Sequence, residues 1–231
     1  MSAHGPRVLL VDDEHDVIET LQTSLRTRGY EVRSADDGES GIELFREWEP
    51  ELVITALCLP KVGGLGLCKA IRSSSDIPII VLSAHSDDAW RLQALECGAD
   101  DYVTKPFSAD ELLVRVRAVL RRISAAPVRG EILEAGDFRV DIASHRAEKN
   151  GKAVYLTPKE FELLSYLLRN SGKVLTHKNL LTVLWGRTYS SQADAVYVLV
   201  RQLRKKIESH PATPKYLKTE SWIGYRFEPG K

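Results

Sequence analysis

Leu52-Val53-Ile54-Thr55-Ala56-Leu57-Cys58-Leu59-Pro60 is a run of apolar and small residues with no charge before Lys61. It is too short for a core helix and stops at Pro60 and Gly63-Gly64, so its first part reads as a strand buried on both faces. Strands of that kind belong to parallel sheets, whose two faces are covered by helices. Further buried strands are expected at 7–11, 77–82 and 101–103. Between them, 16–28, 38–48, 65–72, 87–97 and 109–122 carry apolar residues at helical spacing. The last of these places Leu112, Leu113, Val116, Val119 and Leu120 in a stripe beside Arg115 and Arg117. Alternation of this sort over residues 1–122 predicts an α/β domain with a parallel sheet between two helical layers.

Residues 123–130 are small, polar and weakly patterned, and read as a linker. The second domain is expected over 131–231. Its first part is rich in β-formers and contains Asn150-Gly151, a hairpin signal. Thr157 with Glu160 forms a capping box at the start of a helix, Thr176 caps a second helix over 177–185, and a third covers 193–208. A closing hairpin over 216–227 completes a winged helix-turn-helix pattern.

The formal net charge of zero hides an asymmetry. Residues 1–122 carry 14 Lys/Arg and 21 Asp/Glu, a net of −7, while 123–231 carry 18 and 11, a net of +7. An acidic half joined to a basic half predicts that the second half meets a polyanion. No apolar run approaches the length of a membrane span, and Cys58, Cys68 and Cys97 form no Cys-x-x-Cys pair. A cytoplasmic protein with reduced core thiols, no membrane association and no zinc site is the expectation.

Asp12 and Asp13 directly follow the first strand. Ligands of open α/β sheets sit beyond the carboxyl ends of the strands, and two carboxylates there suit Mg²⁺. Together with Leu59-Pro60, Val81-Leu82-Ser83-Ala84 and the run from Gly98 to Phe107, these residues resemble the receiver domain of bacterial two-component response regulators. That resemblance implies a flavodoxin-like, doubly wound five-stranded parallel sheet. It implies Mg²⁺ on Asp12 and Asp13, a phosphoryl oxygen on Ser83, and Lys105 paired with a phosphoaspartate. Tyr102 becomes a switch aromatic coupled to Ser83, and a cis peptide is expected at Lys105-Pro106.

In the Asp-Leu-x-Leu-Pro pattern of such receivers the phosphoacceptor stands four residues before the proline, a position held here by Ala56. A methyl group cannot attack a phosphoryl donor, and Thr55 should face the other side of its strand. Loss of one carboxylate should weaken Mg²⁺. A natural pseudo-receiver, a phosphorylation-dead variant and a substitute acceptor such as Thr55 all stay open.

The resemblance extends to the OmpR/PhoB family. Arg91, Glu96, Asp101, Glu111, Arg115 and Arg117 sit where that family pairs charges across a twofold axis, and Leu92, Leu95 and Leu113 where it places an apolar patch. Those residues are expected to form a homodimer through the receiver. Leu156 to Leu164, Gly172 to Thr176, Trp185-Gly186, Leu203 to Ile207 and Gly224 to Phe227 are similar to the family's winged-helix effector. The ending Thr219-Glu220-Ser221-Trp222-Ile223-Gly224-Tyr225-Arg226-Phe227 is most similar to regulators of the Kdp potassium-transport operon. Serine and tryptophan stand in that wing where the family commonly has arginine and glycine.

On the third helix of the effector, Val196, Val200, Leu203 and Ile207 mark one buried side, and Asp194, Tyr197, Arg201 and Lys205 another, with Val198, Gln202 and Arg204 flanking it. Arg201 and Gln202 are the candidates for reading bases; Arg204, Lys205, Trp185 and Thr219 are candidates for phosphate contacts. The sequence thus points to a non-enzymatic, dimeric transcription regulator on a DNA operator of two half-sites, with a sensor histidine kinase and RNA polymerase as further partners. An α/β phosphatase using Asp12 or Asp13 as nucleophile, and a pure protein-interaction module, are the competing classes.

Overall fold

The computed structural model describes residues 5–124, 131–186 and 193–230. The chain divides into two compact units, Met1–Arg121 and Arg122–Lys231. No described helix is long and apolar enough to cross a membrane.

The first unit is a parallel five-stranded sheet of order β2-β1-β3-β4-β5. Its strands are β1 (Arg7–Val11), β2 (Glu31–Ala35), β3 (Leu52–Ala56), β4 (Ile79–Ser83) and β5 (Asp101–Thr104). The intervening helices are α1 (His15–Arg26), α2 (Gly38–Trp48), α3 (Gly64–Arg72), α4 (Asp88–Glu96) and α5 (Ala109–Ser124). Alternation along each strand divides the core in two. Val8, Leu10, Leu52, Ile54, Ile80 and Leu82 pack with Leu21 and Leu25 of α1 and Leu112 and Val116 of α5. Leu9, Val11, Val53, Ile79 and Val81 pack on the other face with Trp48, Leu67, Ile71 and Ala94. Both faces are therefore closed, as the uninterrupted apolar strands require.

Strand β2 was not among the apolar runs of the sequence. It is an edge strand in which Val32 alone is buried, so Glu31, Arg33 and Ser34 break the signal while its backbone pairs with β1. Helix α5 continues through Ser124, two residues into the stretch read as linker, and from residue 125 that stretch lies outside the described residues.

The second unit opens with an antiparallel sheet of β6 (Ile132–Ala135), β7 (Phe138–Asp141), β8 (Arg146–Lys149) and β9 (Lys152–Val154). Asn150 and Gly151 join the last two strands with φ of 50° and 72°, the left-handed pair that a tight hairpin requires. Helix α6 (Pro158–Arg169) starts at a complete capping box: Thr157 Oγ1 accepts from the Glu160 amide at 3.4 Å, and Glu160 Oε2 accepts from the Thr157 amide at 2.8 Å. After β10 (Val174–Thr176) come α7 (His177–Trp185), capped by Thr176, and α8 (Ala193–Ile207). Strands β11 (Leu217–Glu220) and β12 (Gly224–Phe227) close a second sheet of order β10-β12-β11. A β-carbon on Gly224 would lie 1.9 Å from the Leu175 carbonyl oxygen, so only glycine lets β12 approach β10.

Candidate functional sites

Sheet order reverses between β1 and β3, and the carboxyl ends of β1, β3, β4 and β5 surround a cavity of about 310 Å³. Asp13, Glu14, Ala56, Ser83, His85 and Lys105 are among its lining residues. Asp12 follows β1, Ala56 ends β3, Ser83 ends β4, and Lys105 follows β5, so the predicted receiver residues do converge. The Lys105–Pro106 peptide bond is cis.

Asp12 is fully buried. Its Oδ2 accepts from Lys105 Nζ at 2.9 Å and its Oδ1 from the Glu14 amide at 3.0 Å. Lys105 Nζ also donates to Glu14 Oε1 at 2.7 Å. Burial pulls the Lys105 pKa down, but the hydrogen bonds of Asp12 and Glu14 outweigh it and the net shift is upward. Glu14 thus shares the lysine with Asp12, a role the sequence reading missed. Its place in Val11-Asp12-Asp13-Glu14 was the available signal. Ala56 is 3% exposed and offers only a methyl group to this surface. Thr55 is fully buried, its hydroxyl donates to the Ala56 carbonyl at 3.0 Å, and it does not line the cavity.

Asp12 and Asp13 are the carboxylates that the sequence assigns to Mg²⁺. Both oxygens of Asp12 are already engaged, and no group of three or more His, Cys, Asp or Glu side chains converges among the described residues. Mg²⁺ takes a near-octahedral oxygen shell, and these residues do not complete the protein's share of it.

The rim of the cavity is organised around His85. Its amide donates to Ser83 Oγ at 3.0 Å, its carbonyl accepts from the Tyr102 hydroxyl at 2.7 Å, and its ring stacks on Trp90 at 5.3 Å. Tyr102 is buried, which pushes its phenol pKa up, and Arg91 lies over its ring at 5.4 Å. The two predicted switch residues, Ser83 and Tyr102, therefore meet through one backbone unit.

On the α4–β5–α5 face the charges pair within the unit. Arg115 bonds Asp101 at 3.1 Å and Glu111 at 3.0 Å, and Arg91 bonds Asp88 at 2.9 Å. Glu111, Glu96 and Arg117 are exposed. The apolar patch needs correction. Leu113 is 2% exposed and Leu95 6%, because both turn into their own core; Leu92 is partly exposed, and among the described side chains of α5 Val114 is the large apolar one presented outward, at 65%.

In the second unit, α8 buries Val196, Val200, Leu203 and Ile207, and exposes Asp194, Tyr197, Arg201 and Lys205. Val198, expected at the edge of the exposed side, is buried with Leu199. Gln202 is half-buried. Arg204 and Thr219 meet each other: the guanidinium donates to the Leu217 carbonyl at 2.6 and 3.0 Å and to Thr219 Oγ1 at 2.8 Å. Arg204 is thereby a brace between α8 and β11, a contact without sequence signal. Glu208 is a second brace that sequence reasoning missed. Its carboxylate accepts from the amides of Lys215, Tyr216 and Leu217 at 2.8, 2.9 and 2.8 Å. Trp185 is half-buried at the end of α7 with Lys159 Nζ 5.1 Å over its ring.

A doubly wound unit with acidic, hydroxyl and lysine side chains at its switch point, followed by a basic winged helix, defines the two-component response regulators of the OmpR/PhoB type. Residues 8–117 match the response regulator receiver domain family, and 151–227 match the family described as transcriptional regulatory protein, C terminal. The transcriptional regulatory protein KdpE of Mycobacterium tuberculosis is 42% identical over 96% of this chain and 98% of its own. Sensory transduction protein RegX3 of Mycolicibacterium smegmatis is 41% identical over the same shares. Among solved structures, the Thermotoga maritima OmpR/PhoB homolog DrrB covers 97% of this chain and 99% of its own, with 32% identity and a TM-score of 0.52. This chain belongs to the OmpR/PhoB family of response regulators, whose receiver domains generally bind Mg²⁺ at the phosphorylation site.

Proposed function

We propose that the protein is a transcription regulator of the OmpR/PhoB type whose receiver takes no phosphoryl group at its usual position. The observation that carries this reading is Ala56, buried at the end of β3 among Asp13, Ser83 and Lys105. Lys105, which would otherwise pair with a phosphoaspartate, is committed to Asp12 and Glu14. Mg²⁺ binds such a pocket weakly, since the donor set stops at Asp12 and Asp13. A phosphatase with Asp12 as nucleophile is disfavoured, because that carboxylate is buried and both its oxygens accept hydrogen bonds.

The output is binding to a double-stranded DNA operator of two half-sites, with α8 in the major groove. Arg201 and Gln202 read bases, and Asp194, Tyr197 and Lys205 border them, with Lys205 on phosphate. The partners are a second copy of the chain across the α4–β5–α5 face, RNA polymerase, and a sensor histidine kinase that docks on the receiver without transferring phosphate. The compartment is the cytoplasm. Incubation with acetyl phosphate and Mg²⁺ should leave the intact mass unchanged, and Ala56→Asp should gain a labile phosphoryl adduct. An adduct on the parent chain would refute the proposal.

A further inference from the structure

The three cysteines, expected as core thiols, divide by exposure: Cys68 is buried, Cys97 half-buried and Cys58 exposed. Burial pushes the Cys68 thiol up to about 12 and raises that of Cys97 as well, so neither supplies appreciable thiolate near neutral pH. Cys58 follows the end of β3, on the wall of the cavity that Ala56, Ser83 and Lys105 also line. An exposed cysteine adds little to packing, and reactivity is what distinguishes such a residue. Its thiol does not stand alone. Sγ lies 3.9 Å from Nε2 of His85, within reach of a sulfur hydrogen bond. His85 is held for that contact from three sides: its amide donates to Ser83 Oγ, its carbonyl accepts from Tyr102, and its ring stacks on Trp90 with 23° between the planes. A nucleophile beside a base that is itself oriented by other groups is the arrangement that generates a thiolate. Asp13 and Glu14 line the same cavity and oppose a further anion, but Lys105 lies 2.7 Å from Glu14 and offsets it.

We propose that Cys58 and His85 form a peroxide-reactive thiol–imidazole site opening into the cavity. His85 Nε2, unprotonated in the tautomer that carries its proton on Nδ1, takes the thiol proton. The sulfur then attacks one oxygen of a hydroperoxide: the S–O bond forms as the O–O bond breaks, and the departing oxygen takes the proton back from the imidazolium. Cysteine is oxidised to the sulfenic acid while the hydroperoxide is reduced to an alcohol or, from hydrogen peroxide, to water. A cavity of about 310 Å³ has room for a small hydroperoxide and for the oxygen that stays on sulfur. That oxygen falls beside the ring whose own backbone unit joins Ser83 to Tyr102, so oxidation acts on the pair that the sequence assigns to the switch. The step does not depend on the reading of Ala56 above, and a parent chain that accepted phosphate elsewhere would leave it intact.

The test adds hydrogen peroxide to the full chain near neutral pH, traps sulfenic acid with dimedone and locates the label by peptide mass mapping. Cys58 should be labelled about 10- to 30-fold faster in the folded chain than in the urea-unfolded chain, because a thiolate present at a few per cent becomes the major form. His85→Gln should lose that advantage at about pH 7 and regain the parental rate at about pH 10, where the thiol ionises without a base. Cys58→Ser should abolish the label. Labelling of folded Cys58 no faster than in the unfolded chain would overturn the proposal, as would a label on Cys68 or Cys97 in place of Cys58. A His85→Gln rate equal to the parent's near neutral pH, or a loss that persists at the alkaline end, would equally overturn it, since the ring would then not serve as the base.

Discussion

Replacing Lys105 by methionine keeps the stem of the side chain and deletes its ammonium, which lies 2.9 Å from Asp12 and 2.7 Å from Glu14. Asp12 is fully buried, whereas the Glu14 side chain is 62% exposed, so the two contacts are unequal. Breaking a buried ion pair by removing one partner costs about 3–5 kcal/mol, while an exposed pair contributes about 0–1. The cavity beside Lys105 lets water reach the vacated position, and the Glu14 amide still serves Asp12, which favours the lower end, about 3 kcal/mol. Asp12→Asn should be milder, about 1 kcal/mol, because Lys105 keeps Glu14 and stays hydrated there. In the double variant no charge is stranded, so its cost should fall short of the sum by about 2 kcal/mol. Amide hydrogen exchange at β1 and β3 under mild urea isolates the first unit from the second. Alkaline pH provides an internal control. The Lys105 pKa is raised above 10.5 in the folded unit, so the bridge contributes fully below 10.5 and is lost as pH climbs through the folded value. Lys105→Met should lack that alkaline loss. A cost below about 1 kcal/mol for Lys105→Met would show that Asp12 does not depend on the lysine.

Arg201→Ala should cost about 1–3 kcal/mol on an enriched duplex and relax base preference, as read by competition among sequence variants. Arg204→Ala should also lower the melting temperature of the second unit and weaken all sequences alike, because it loosens β11 from α8; equal behaviour of the two variants would refute the division. Asp37, whose pKa is lowered to about 2 by the Lys61 hydrogen bond and by the Ser40 amide, should add stability above pH 3.8 that disappears as pH falls toward 2. Asp37→Asn should flatten that acid limb in a pH series of thermal melts. Arg115→Glu sets a third acid beside Asp101 and Glu111, and should reduce cooperative binding to two half-sites far more than binding to one; equal losses would remove this face from the dimer.

The parts of the structure legible in sequence are those where burial and local chemistry agree. Buried strands announced themselves as apolar runs, and the capping box at Thr157 and the Asn150-Gly151 turn lay within a few residues of chain. Edge strand β2 was missed because an edge places its polar residues in solvent, leaving Val32 as its single buried side chain. The bracing contacts of Arg204, Glu208 and Lys159 are silent in the sequence for another reason. Each serves a backbone carbonyl or amide distant in sequence, and a charged side chain bonded to a peptide group looks, in sequence, like one facing water.

The α4–β5–α5 face, proposed above to carry the dimer, shows where positional resemblance stops short of physics. Leu95 and Leu113 occupy places associated with an intermolecular patch, yet each is consumed by the core of its own unit. Arg115 is equally engaged, with Asp101 and Glu111. A dimer formed here must exchange these intramolecular pairs for intermolecular ones, and breaking the largely buried Arg115–Asp101 pair, with side chains 18% and 9% exposed, offsets what the new pairs contribute. The apolar contribution falls to Leu92 and Val114. An interface so constituted should be weak without DNA, with two half-sites on one duplex supplying the effective concentration that it lacks. With no carboxylate at residue 56 to convert phosphorylation into a stronger contact, occupancy should follow protein concentration and half-site spacing rather than phosphodonor supply.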